Sequence, residues 1–189
     1  MKEFIVRDRY NREVIASRYA ETFGDAVSTM VRDGEDLSWG DFSGRSLRGA
    51  DLSGGNFYEA NWQAADLRGA KLPQAELASG DFYRACLEGA DLRGADISFS
   101  DLAYANMKRT DLSGADLIDC QVQRLRLDGA NLDGADFNGS FLEPRTVIGA
   151  GNALDKAILG PFTSWRKDDI SQRQIKHHIA RPRPVSKTL

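Results

Sequence analysis

Apolar side chains recur at every fifth residue from Leu37 to Leu142. The series opens Leu37, Phe42, Leu47, Leu52, Phe57, Trp62 and continues without a slip through Phe82, Ile97, Met107, Val122 and Phe137 to Leu142. Two residues before each stands a small residue, most often Ala, and one residue before stands Asp or Asn in most repeats. Gly stands two residues after in ten of them, so the unit is A-(D/N)-L-x-G, whole at 50–54, 90–94 and 130–134. A five-residue period matches neither a helix at 3.6 nor a strand at 2. It fits a coil that turns a corner every five residues, its central and small residues pointing inward and Gly easing the corner where φ is positive.

The flanks follow other patterns. Two β-prone runs, Phe4 to Val6 and Val14 to Ala16, are separated by a polar stretch centred on Asn11, which predicts a hairpin. Thr22 and Asp25 have capping-box spacing, Phe23, Val27 and Met30 follow helical spacing, and Gly34 supplies a stop, so a short helix from about Phe23 to Asp33 is expected. Residues 1–34 thus read as an N-terminal cap over the open end of the body, 35–143 as the repeat body, and 144–189 as a C-terminal cap and basic tail. Within the last part, Ala153 to Leu159 predicts one or two helical turns against the open end. Residues 164–181 predict a weak helix stopped by Pro182, and the remainder reads as extended.

Departures from the unit carry their own expectations. Glu35, Arg45 and Leu125 occupy small-residue positions; the first two lie in the first coil, where either the wall is loose or the cap sits, and Leu125 should bulge the wall or point outward. Pro73 has no backbone donor and belongs at a corner or off the ladder.

The A-(D/N)-L-x-G units resemble the pentapeptide-repeat family over about 110 of 189 residues. The resemblance implies an all-β solenoid, a right-handed quadrilateral β-helix with four repeats to a coil. Coils stacked about 4.8 Å apart then make a rod about 26 Å long. Residues 20 apart stack on one side, so the charge of each side is readable. The first side, centred on Leu37, Phe57, Leu77, Ile97, Leu117 and Phe137, carries Glu35, Asp36, Glu59, Glu76, Asp96, Asp116, Asp119 and Asp136 and no Lys or Arg. The opposite, third side has three acids and six bases, and the second and fourth have four acids and two bases each.

The net charge of −3 hides this division. Residues 1–34 are neutral, 35–143 carry −9 and 144–189 carry +6. Eight acids over five coil steps amount to one charge per roughly 3 Å, close to the ~3.4 Å phosphate spacing along one DNA strand. Trp39, Tyr58 and Phe99 lie on the same side at outward positions and add aromatic anchors of the kind interfaces favour. Asp and Asn also suit their position because their side chains bond nearby corner amides, which accounts for part of the acidity.

Other chemistry is sparse. Cys86 and Cys120 make no metal motif and read as small buried hydrophobes. His177 and His178 have no acid or thiol at ligand spacing. No G-x-S-x-G elbow or phosphate loop appears, the glycines being explained by the repeat. No cofactor, metal or catalytic residue is therefore expected, and an enzyme is disfavoured because a solid β-helix has no interior pocket. The opening residues hold no apolar run of signal-peptide length and no stretch reaches 18 apolar residues, so a cytoplasmic protein without membrane contact is expected.

Family members that confer quinolone resistance act on type II topoisomerases by imitating DNA, so the resemblance implies a protein partner, DNA gyrase first. The partner-binding candidates are Asp36, Trp39, Tyr58, Glu59, Glu76, Asp96, Phe99, Asp116, Asp119 and Asp136, with no direct duplex DNA binding by the repeat body. Those members are dimers joined at a C-terminal helix, which implies a homodimer through the C-terminal segment. Several also project loops from their coils, for which the unbroken register here leaves no room. Inhibition of a nuclease or defence protein is a related expectation, and a structural scaffold is the alternative.

Overall fold

A hairpin opens the computed structural model, which describes residues 1–140 and 156–158. Strands β1 (Lys2–Arg7) and β2 (Val14–Ala20) pair antiparallel, with Lys2 opposite Ala20 and Val6 opposite Ala16. Helix α1 (Phe23–Arg32) follows, its Thr22 hydroxyl accepting from the Asp25 amide at 3.1 Å. Phe23, Ala26, Val27 and Met30 form its buried stripe, as a 3.6 period requires.

From Leu37 the chain winds into a four-sided β-helix. Parallel bridges join residues 20 apart in four ladders: Asn56 to Asp136 on the first side, Asp41 to Gln121 on the second, Ser46 to Arg126 on the third and Asp51 to Asn131 on the fourth. Every central residue from Leu37 to Phe137 is buried. Leu142, the segments 144–155 and 159–189, His177, His178 and the proposed dimer segment lie outside the described residues.

Tracing the amides shows why each repeat position has its residue type. The central amide bonds the next coil, as Leu77 N–H to Asp96 O at 2.7 Å, and the corner amide does likewise, as Ser79 to Ser98 O at 2.8 Å. The small residue's amide closes the turn, as Gly80 to Leu77 O at 3.2 Å. That leaves the amide just after the central residue without a backbone acceptor. Every Asp and Asn before a described central residue supplies one through Oδ1, forming an Asx turn. Lys71 has no oxygen to offer, and the residue it would serve is Pro73, which has no N–H to satisfy. The two departures cancel, and Pro73 stands at a corner.

Inward small positions obey packing. At Gly40, Gly55 and Gly80 an added Cβ would come within 2.6, 2.5 and 2.8 Å of the ring of Phe42, Phe57 and Phe82 respectively. Polar residues at inward positions are satisfied across the coil: Ser100 donates to Leu77 O at 3.2 Å, Thr110 to Leu87 O at 2.9 Å and Ser140 to Leu117 O at 2.6 Å. On the second side Phe42, Trp62 and Phe82 stack face to face, with centroids 4.3 and 5.8 Å apart.

The N-terminal elements supply bonds that a preceding coil would have made. Arg7 O accepts from Asp41 N–H at 2.8 Å, and Met30 O accepts from Glu35 N–H at 3.0 Å. Glu35 is paired with Arg18 at 2.6 Å, and the Arg45 guanidinium lies 5.2 Å from the Phe23 ring centroid, so both departures meet the cap rather than the core.

Two expectations are corrected. Leu125 is fully buried, and its amide keeps the ordinary turn bond to Val122 O at 3.1 Å, so the wall does not bulge. It follows Ala105 in its column, and that small residue leaves room for it. Cys120 is buried as expected, but Cys86 is half-buried because it holds the ladder position, outside the core. Of the segment Ala153 to Leu159 only 156–158 are described: Lys156 lies in a 3-10 turn, Ile158 bridges Asp136 in parallel, and Lys156 O accepts from Gly134 N–H at 2.9 Å. This contact satisfies amides that the last coil would otherwise leave open.

Candidate functional site

The first side carries the charge column. Its ladder stacks Glu76, Asp96, Asp116 and Asp136 on successive coils, a step of about 4.8 Å. Asp36 heads the same column, and Asn56 interrupts it. One oxygen of each Asp faces its own corner. Asp36 accepts from both the amide and the hydroxyl of Ser38, at 3.0 and 2.6 Å, and Asp96 does the same with Ser98. Asp116 accepts from the Ile118 amide, and Asp136 from the backbone and side-chain amides of Asn138, at 3.0 and 2.6 Å.

The remaining charge is felt by its neighbours. Burial first, then the carboxylates of Asp96 and Asp136, push Asp116 above the usual carboxylate range, against the opposing corner hydrogen bond. On the other sides the direction reverses. Arg68 on the third side holds Asp66 below that range, and Arg93 on the fourth side does the same to Asp91. The one-signed column is thus an electrostatic feature of this side.

Its upper end is not free of bases. The hairpin turn folds over the first coils, where Arg9 N–H donates to Trp39 O at 2.8 Å and the Arg9 guanidinium donates to Glu59 O at 2.8 Å. Tyr10 Oη donates to the Glu59 carboxylate at 3.2 Å. The repeats contribute no cation to the first side, but tertiary folding brings Arg9 to it. Trp39 and Tyr58 meet edge to face at 6.5 Å, and both stay exposed. Phe99 is 61% exposed and stands two coils beyond Tyr58, so the three aromatics do not form one cluster. Asp119 is exposed at the following corner of Phe99's column.

A second asymmetry was missed from the sequence. The last residue of each repeat has positive φ, and on the edges flanking the fourth side it is Gly except at Gln74 and Arg109. The edges flanking the second side carry Trp39, Glu59, Ser79, Phe99 and Asp119 on one hand, and Ala64, Arg84, Tyr104 and Arg124 on the other, with Gly only at Gly139 and Gly44 respectively. A side chain in this region costs roughly 1–2 kcal/mol. The signal was present as absent glycines, but only the four-sided register sorts them onto two edges. Among the described residues no acid, His or Cys cluster could hold a metal ion, and no helix is long and apolar enough to cross a membrane.

The model of the family "Pentapeptide repeats" matches in eight copies over residues 63–98, 90–124 and 105–143. No curated protein matches. Among solved structures, a pentapeptide repeat protein (alr5209) from Nostoc Pcc 7120 is 34% identical over 60% of this chain and 82% of its own, with a TM-score of 0.31. A pentapeptide repeat protein (Rfr23) from the cyanobacterium Cyanothece 51142 is 31% identical over 46% of this chain, with a TM-score of 0.45, and this chain spans 58% of its length. QnrB1, a plasmid-mediated fluoroquinolone resistance protein, is 22% identical over 69% of this chain and 74% of its own, with a TM-score of 0.36.

Proposed function

We propose that this chain, which belongs to the pentapeptide-repeat family, is a non-enzymatic binding rod whose acidic side imitates duplex DNA in the groove of a DNA-binding protein. DNA gyrase or another type II topoisomerase is the first candidate. The observation that carries the reading is the uninterrupted stack Glu76, Asp96, Asp116 and Asp136, to which the repeats of that side add no base. A rigid column of carboxylates with an outward oxygen on each coil suits a groove built for a phosphate backbone. Asp36 and Asp119 extend the charge above and beside it, and Trp39, Tyr58 and Phe99 add apolar anchors at its edge. Glu59 is held by the hairpin turn and serves the cap first. The protein acts in the cytoplasm and needs no cofactor.

The test is competition. The chain should inhibit gyrase supercoiling and displace duplex DNA from the enzyme, less well at high salt. The triple variant Asp96→Asn, Asp116→Asn, Asp136→Asn keeps the corner acceptors and removes the charge. It should raise the inhibitory concentration at least about tenfold, or 1.4 kcal/mol. If the parent chain neither competes with DNA nor weakens as salt rises, the reading fails.

A scaffold role is the second reading, favoured by the Asx turns: each stacked Asp has a structural duty that explains its presence without a partner. Under that reading the triple variant binds its targets as well as the parent does.

A further inference from the structure

The second side of the rod has edges unlike those bordering the fourth. Phe99 stands on one, and Arg84, Tyr104 and Arg124 follow one another down the other, with φ of 60°, 59°, 62° and 57°. Phe99 and Tyr104 are 61% and 44% exposed, so this backbone conformation serves no burial. Bulky side chains held there without packing into a core mark a functional surface rather than a folding need.

The rings beside them pre-position the arginines. The Arg84 guanidinium carbon lies 5.1 Å from the Tyr83 ring centroid and that of Arg124 5.4 Å from the Tyr104 centroid, while the two rings meet edge to face at 5.6 Å. Among the described residues neither arginine has a carboxylate partner, whereas Arg68, Arg93, Lys108 and Arg109 each have one. A guanidinium laid over a ring keeps its N–H fork open at the rim for a carboxylate. Arginine and aromatic residues are also the types that anchor protein interfaces.

Spacing and charge select the occupant. Arg84 and Arg124 stand two coils apart, about 10 Å along the rod axis. Seven residues of an α-helix rise about 10.5 Å. Asp101 in the second side's ladder and Asp119 on the opposite edge would repel a continuous phosphate backbone, but not a helix that places its acids on the arginine edge alone.

We propose that this face receives an amphipathic helix of a partner protein lying along the rod, with carboxylates at i and i+7 on Arg84 and Arg124 and apolar residues at i+3 and i+4 on Tyr104. Arg84, Tyr104 and Arg124 lie on the edge of this face away from the acidic side, so one reading can fail without the other. The probe is a fluorescein-labelled, alanine-based helical peptide with Glu at i and i+7 and Leu at i+3 and i+4, titrated with the full chain and read by anisotropy. Saturable binding is expected, weakened at least about tenfold in Arg84→Glu/Arg124→Glu and recovered on that variant when the peptide carries Lys in place of Glu. Tyr104→Gly, which relaxes its corner, should lose binding with its melting temperature retained. Absence of binding by the parent, equal binding by the charge-reversed variant at an unchanged melting temperature, or tighter binding of a duplex oligonucleotide would each overturn the proposal.

Discussion

Replacing Asp116 by Asn separates the structural and electrostatic duties of the acidic column. Asn keeps the Oδ1 that accepts from the Ile118 amide, and the rod already uses Asn in this way at Asn61 and Asn131. There the amide also donates one coil down, Asn61 Nδ2 to Asp41 at 3.2 Å and Asn131 Nδ2 to Asp111 at 3.0 Å. Asn at 116 should do the same to Asp96, turning a repulsion into a hydrogen bond. At about 4.8 Å, two like charges repel by about 0.9 kcal/mol at the dielectric of water. Asp116 has two such neighbours, and screening reduces both, which leaves a net gain of about 1 kcal/mol at low salt. For a chain of this length that raises the melting temperature by roughly 2–4 °C. Because Asp116 holds its proton more tightly folded than unfolded, its ionisation costs stability at neutral pH, and the cost vanishes as pH falls through the folded-state pKa. Asp116→Asn should therefore stabilise at pH 7, less so in 1 M salt, and be nearly neutral at a pH where carboxylates are protonated. Asp91→Asn should do the opposite. Arg93 depresses Asp91, so its charge contributes stability that is present at neutral pH and lost as pH falls through its folded pKa. Thermal melts of both variants across pH decide the matter. If Asp116→Asn lowers the melting temperature at pH 7, or raises it equally in acid, the column is not under electrostatic strain.

Three further outcomes follow from the same geometry. Phe99→Gly relieves roughly 1–2 kcal/mol of left-handed strain against about 0.5–1 kcal/mol of added chain entropy, so its melting temperature should hold or rise slightly; a fall of several degrees would show the ring to be packed. Gly80→Ala pushes a methyl to 2.8 Å from the Phe82 ring and 2.9 Å from Leu77 O, and should cost about 1–3 kcal/mol in denaturant melts. Burial pushes the Cys120 thiol up to about 12, so a thiol reagent at pH 8 should find it inert in the native protein while the half-buried Cys86 reacts, both reacting once urea unfolds the chain.

The five-residue period determined the coil, its inward set and its four-sided stacking, because a solenoid repeats one local geometry and each repeat sees only its neighbours. Leu37 to Phe137 need no distant information to be read as core, and the Asx position announces its corner duty in the residue types it accepts. Even the Lys71 and Pro73 pair explains itself once the orphan amide is traced. What the period could not reach lies where the regular environment ends. Leu125 is judged by room left in its column, not by its own size. Ile158 returns to the Asp136 ladder after the register has faded, because open amides there attract whatever strand is within reach. Arg9, 50 residues from Glu59 in the chain, crosses onto the acidic side because the hairpin turn folds over the first coils. The order of residues thus set how the rod is built, by local rules repeated down its length, while only the fold in three dimensions decided which charges meet, which corners share an edge and which side the hairpin covers.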